Sequence, residues 1–190
     1  MWGEGHVTAG GKRLEYRCWG DAPRDGRCVV LLHEGLGCVA LWKGFPEALH
    51  HRLGVPVMAY SRAGYGWSEA DNLPRPLDWM TREAGLLPDV LDAFGIDAPI
   101  LVGHSDGATI AAIAAGGAGG GVGASVAERP LLPIAPLERT VLAAVLIAPH
   151  FFTEEVGLAE IARADAAFAT SNLPKHITKY HKNPQTTFKK

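Results

Sequence analysis

Cysteine is scarce in this chain of 190 residues, and the three present, Cys18, Cys28 and Cys38, are odd in number and have no Cys-x-x-Cys spacing. That excludes a disulfide framework and speaks against a zinc site, so a reducing, cytoplasmic setting is expected. Charge of one sign is nowhere concentrated: the 18 basic residues are scattered and the net charge is −2. Neither the footprint of a nucleic-acid binder nor a membrane-surface patch is present. The opening residues have no basic region followed by an apolar one, so no secretory leader is expected. Long apolar runs are missing too. Residues 108–127 carry no charge over 20 positions, long enough on paper to span a bilayer, but six glycines fall between positions 116 and 123. Such an Ala- and Gly-rich segment is poor in the Leu, Ile and Phe that drive insertion. What is there is 47% hydrophobic residues against 20% charged, enough for one sizeable core. A single domain over 1–190 with a small-molecule partner, no cofactor and no metal is expected.

The apolar pattern alternates between short runs and helical spacings. Residues 6–20 place two extended runs around Gly10 and Gly11, an opening hairpin at the edge of a sheet. The run Cys-Val-Val-Leu-Leu-His at 28–33 reads as a strand buried on both faces. Leu41, Phe45, Leu49 and Leu53 suit a helix covering the sheet, and another strand follows at 55–60. From Leu77, the residues Met80, Ala84, Leu87, Leu91 and Phe94 predict an amphipathic helix with Pro88 inside it and Gly95 at its end. Residues 99–104 read as a strand, 108–115 as a helix, 140–149 as a strand and 155–169 as a further helix. Strands alternating with helices predict an α/β fold, a mostly parallel sheet with helices on both faces.

Two regions break the rhythm. Residues 116–137 are rich in Gly, Ala and Pro and read as a flexible insertion; their Gly-x-Gly-x-x-Ala match at Gly119, Gly121 and Ala124 follows a helix rather than a strand and does not suit a dinucleotide loop. The last residues, from about Lys179, read as a polar, basic tail.

Chemistry concentrates at Gly103-His104-Ser105-Asp106-Gly107, a Gly-x-Ser-x-Gly pentapeptide between a predicted strand and a predicted helix. The glycines allow a sharp, strained turn that side chains would block. Ser105 then sits at a helix N-terminus, where the dipole and the N–H of Asp106 suit a developing oxyanion. Residues His33-Glu34-Gly35-Leu36-Gly37 form a loop leaving the first central strand, and the N–H of Gly35 is the candidate second donor. His33 reads as a hydrogen-bonded strut of that loop and Glu34 as a solvated carboxylate. In Tyr60-Ser61-Arg62-Ala63-Gly64-Tyr65-Gly66-Trp67-Ser68, the glycines mark a tight turn and Arg62 reads as a tie between loops.

At these three places, and in their order, the sequence resembles the α/β-hydrolase superfamily, with its closest likeness to single-domain hydrolases that carry a Gly-His-Ser-Asp-Gly elbow: esterases and the carbon–carbon bond hydrolases of aromatic degradation. The resemblance runs from about Val7 to about Tyr180. It implies Ser105 as nucleophile, the backbone N–H groups of Asp106 and Gly35 as oxyanion donors, and a lid beginning in 151–190. An aspartate would stand in place of the serine in the epoxide and haloalkane branches. The resemblance also implies an Asp or Glu and then a His on loops after later strands. At roughly 30 residues per strand–helix unit, two such units amount to about 60 residues that this chain lacks.

A stand-in base for Ser105 within these residues would be one of the eight histidines, His6, His33, His50, His51, His104, His150, His176 and His181. His104 is expected to point away from the serine, His150 lies on the correct edge of the sheet, and His176 or His181 would have to fold back. Two functions are left: a hydrolase of an ester or related acyl compound, or an inactive, truncated homologue, either a remnant that binds a ligand in the residual pocket or a gene fragment that does not fold stably. Without later strands, the strand at 140–149 would expose an apolar edge, and self-association through it is expected.

Overall fold

In the computed structural model the described residues are 2–116, 137, 139–151, 154–168 and 170–182. Most of the 116–137 insertion lies outside them. Strands β1 (Glu4–Ala9) and β2 (Lys12–Trp19) form the antiparallel hairpin, turning at Gly10 and Gly11, both with left-handed φ. β2 then pairs antiparallel with β4 (Val57–Tyr60), and the rest of the sheet is parallel. β4 lies beside β3 (Arg27–Leu32), β3 beside β5 (Ala98–His104), and β5 beside β6 (Ala143–Ile147). The order is thus β1-β2-β4-β3-β5-β6. Because β3 and β4 run the same way, helical connections must cross the faces.

Both faces are covered. Cys28, Val30 and Leu32 of β3 and Met58 and Tyr60 of β4 point to the larger core, which is filled by α2 (Trp79–Phe94) and α3 (Asp106–Gly116). The alternate residues Val29, Leu31, Val57 and Ala59 point the other way, against Val39, Trp42 and Leu49. This is why β3 and β4 read as unbroken apolar runs: each successive side chain enters a different core. α2 buries Ala84, Leu87, Val90, Leu91 and Phe94 on one stripe. It ends where Gly95, at φ 64°, lets its own N–H reach Asp92 O and the N–H of Ile96 reach Leu91 O.

The helix expected from Leu41 is corrected. Lys43 takes a left-handed φ of 52°, which separates a 3₁₀ turn, Val39–Trp42, from α1 (Phe45–Leu53). Phe45 and Leu53 are exposed rather than turned to the sheet, and Phe45 stacks on Trp42 instead. Most of the polar tail expected from about Lys179 lies outside the described residues. After α4 (Glu155–Phe168) comes a further helix, α5 (Leu173–Tyr180), and His181 behind it is 3% exposed.

Candidate functional site

β5 delivers the chain to Ser105, which holds a left-handed φ of 53° before α3 begins at Asp106. That conformation is uncommon for a residue with a side chain and is held here by its surroundings. A Cβ on Gly103 would stand 2.3 Å from Gly107 O, and one on Gly107 2.0 Å from Leu32 O. The strand, the turn and the helix approach so closely that only glycine fits at either position. The Ser105 carbonyl accepts the N–H groups of Ala108 and Thr109, and the Ser105 N–H donates to Ile147 O at 2.8 Å, tying the elbow to the end of β6.

Beyond β6 the chain turns back. Ala148 adopts φ 49°, and the turn brings His150 over the elbow. The Ser105 hydroxyl lies 2.8 Å from His150 Nε2, so it donates to that nitrogen when the imidazole carries its proton on Nδ1. Thr109, one helical turn after Ser105, fixes the histidine's backbone from both sides. Its Oγ1 accepts the His150 N–H at 2.9 Å, and its hydroxyl donates to the His150 carbonyl at 3.1 Å. Among the described residues no carboxylate is hydrogen-bonded to His150. Serine and histidine form a dyad.

The loop facing the elbow is held by buried polar bonds. Glu34 and Gly37 close a turn through the Gly37 N–H and Glu34 O, 3.0 Å apart, with Gly35 buried inside it. His33 is fully buried: Nδ1 donates to Glu34 O at 2.7 Å and Nε2 accepts the Arg62 N–H at 3.1 Å. Burial above all, then the Arg62 charge, holds its pKa well below the ordinary 6.5, so His33 is neutral. The Arg62 guanidinium donates to the carbonyls of His33 and Glu34. Both residues are the structural ties their sequence context suggests. His104 points away from Ser105, its Nδ1 lying 3.9 Å from Glu34 Oε2.

Residues 29–188 match the model of the alpha/beta hydrolase family. The chain belongs to that family. Among solved structures, the enol-lactonase of Burkholderia xenovorans LB400 is similar with a TM-score of 0.51 and 23% identity, over 58% of this chain and 41% of that one. A bacterial membrane phospholipase A is similar with a TM-score of 0.50 and 23% identity, over 58% of this chain and 34% of that one. An epoxide hydrolase of Vigna radiata gives a TM-score of 0.47 and 25% identity, over 56% of this chain and 33% of that one. The first two likenesses concern the fold. The chain covers well under half the length of each of these hydrolases. No functionally curated protein matches it.

In this α/β hydrolase the sequence singled out Ser105, Asp106 and Gly35. The structure places Asp106 at the start of α3 and Gly35 in the facing turn, both buried. Of the histidines considered as bases, His150 reaches Ser105. His181 does fold back, but onto Leu36 and Gly66. Thr109 was missed, although its place four residues after Ser105 on a predicted helix puts both on one face. The three cysteines are free. Burial raises the pKa of the Cys18 thiol to about 12 and that of Cys38 to about 11, so neither is a thiolate nucleophile at neutral pH. Among the described residues no helix is long and apolar enough to cross a membrane, and no group of acidic, His or Cys side chains is arranged to hold a metal.

Proposed function

We propose that this chain is a serine hydrolase acting on an ester or related acyl compound, with Ser105 as nucleophile and His150 as general base. The observation that carries the reading is the 2.8 Å contact between Ser105 Oγ and His150 Nε2 on a left-handed elbow. His150 takes the hydroxyl proton as Oγ bonds to the acyl carbon, and the carbonyl π electrons move onto oxygen. Backbone N–H groups of Asp106 and Gly35 are the donors proposed for that oxyanion, aided by the N-terminal end of α3. The tetrahedral species collapses, the leaving group departs with the proton from His150, and an acyl-Ser105 remains. Water, deprotonated by the same imidazole, then attacks the acyl carbon, and the serine oxygen leaves with the proton.

A dyad lacks the carboxylate that orients and stabilises an imidazolium, and such a loss costs about 10⁴ in turnover in a serine protease triad. Slow hydrolysis, read best with activated esters, is therefore expected. The second reading, a ligand-binding homologue without turnover, draws on the lack of a carboxylate bonded to His150 among the described residues and on the solvent exposure of His150.

Intact-mass labelling of the purified chain with a fluorophosphonate decides between them. One adduct is expected on the wild type, none on Ser105→Ala, and labelling at least about 100-fold slower on His150→Ala. An unlabelled, cooperatively folded wild type would leave the binding reading in place.

A further inference from the structure

The segment Tyr180 to Lys182 is far from Ser105 in sequence and takes no part in the mechanism above, yet it is bonded to both loops that frame the site. The Gly66 N–H donates to His181 Nδ1 at 2.8 Å, and His181 Nε2 donates to Leu36 O at 3.1 Å. The Lys182 N–H donates to Gly66 O at 2.8 Å, and the Cys38 thiol faces Tyr180 O at 3.7 Å. Leu36 directly follows Gly35 in the turn closed by Gly37, whereas Gly66 belongs to the turn containing Arg62, which itself donates to His33 and Glu34. One imidazole thus spans two loops, accepting from one and donating to the other, with the Tyr65 ring against its edge.

Resting on the Ser105 reading, we propose that His181 is a positioning residue for the reaction: its bridge from Gly66 to Leu36 fixes the loop from which Gly35 presents an oxyanion donor. Only a neutral imidazole serves, because Nδ1 must keep a lone pair for the Gly66 N–H while Nε2 carries the proton for Leu36. Burial, which holds the His181 pKa below 6.5, favours that form. The two nitrogens do different work. Nε2 acts on the oxyanion loop itself, and Nδ1 acts on its neighbour.

That asymmetry supplies the test. A glutamine amide can stand in for an Nε2 donor and an asparagine carbonyl for an Nδ1 acceptor. Fluorophosphonate labelling rates, separated into maximal rate and half-saturating concentration, are compared for the full wild-type chain, His181→Ala, His181→Gln and His181→Asn. Removing an oxyanion donor costs about 10²–10³, and misplacing one is expected to slow the maximal rate at least about tenfold in His181→Ala. His181→Gln should regain most of it and His181→Asn little, whatever the melting temperatures. Equal rates for His181→Ala and wild type, or rates that track melting temperature alone, overturn the proposal.

Amide exchange of Gly66 and Gly37 gives a readout independent of reactivity. Both are expected to lose protection in His181→Ala, and unchanged protection of both overturns the bridge. A wild type that shows protected amides but no adduct sinks the Ser105 reading instead.

Discussion

The two halves of the dyad are built very differently. Ser105 stands between β5 and α3, where Leu101, Ala108, Ile110 and Ala111 are fully buried and two glycines leave no room for a methyl group. His150 stands beyond β6, the last strand of the sheet order, whose side chains are almost all exposed; Val145 and Ile147 are 48% and 43% accessible. Ser105 is positioned by close packing, which is resistant to deformation. His150 is positioned by two hydrogen bonds with Thr109 and a left-handed turn at Ala148. The two sides of the Ser105–His150 contact therefore rest on stabilities of unequal size, and the histidine side should fail first under stress.

Substitutions sharpen that contrast. Gly107→Ala forces a methyl group against the Leu32 backbone, and a loss of about 3 kcal/mol or more in denaturant-unfolding free energy is expected together with loss of the adduct. A stable, reactive Gly107→Ala would show that the elbow is softer than its contacts imply. Thr109→Val keeps the shape but removes both bonds to the His150 backbone. A cost of about 1–3 kcal/mol is expected, with fluorophosphonate labelling slowed about 100-fold by the wandering imidazole. Labelling at the wild-type rate would mean that Ala148 alone aims the histidine.

Acid tests the loop side. His33 and His181 are both held neutral in the fold, below their ordinary value of 6.5. The unfolded chain therefore binds more protons below that pH, so stability is full above about 6.5 and declines as pH falls toward the lower folded-state values. The midpoint of thermal unfolding should drop between about pH 6.5 and 5, and less so in His181→Gln. A flat profile would contradict the burial of both imidazoles.

The smallest effect is expected at the exposed strand. Among the described residues no strand lies beyond β6, so the edge beside Leu142, Val145 and Ile147 is expected to pair with a second copy of the chain. Val145→Lys should change stability by no more than about 0.5 kcal/mol while shifting sedimentation toward monomer. A wild type that is monomeric at high concentration removes self-pairing.

Particular residues show why some of this was legible and some was not. The strands at β3, β4 and β5 announced themselves because burial on both faces demands unbroken apolar runs, and α2 because one buried stripe demands a period of 3.6. The step of four through Leu41, Phe45, Leu49 and Leu53 misled because Lys43 adopts a left-handed φ that no periodicity records. α5 was hidden in polar composition, and the contacts of Tyr180, His181 and Lys182 with the loops at Leu36, Cys38 and Gly66 have no local signature.

By itself the sequence determined the α/β architecture and the elbow, because local spacing and obligatory glycines act over a few residues. Only the tertiary structure decided which of eight histidines meets Ser105 and what His181 holds. Those pairings join positions 45 and 145 residues apart, and such contacts follow from how β6 and α5 dock rather than from any local pattern.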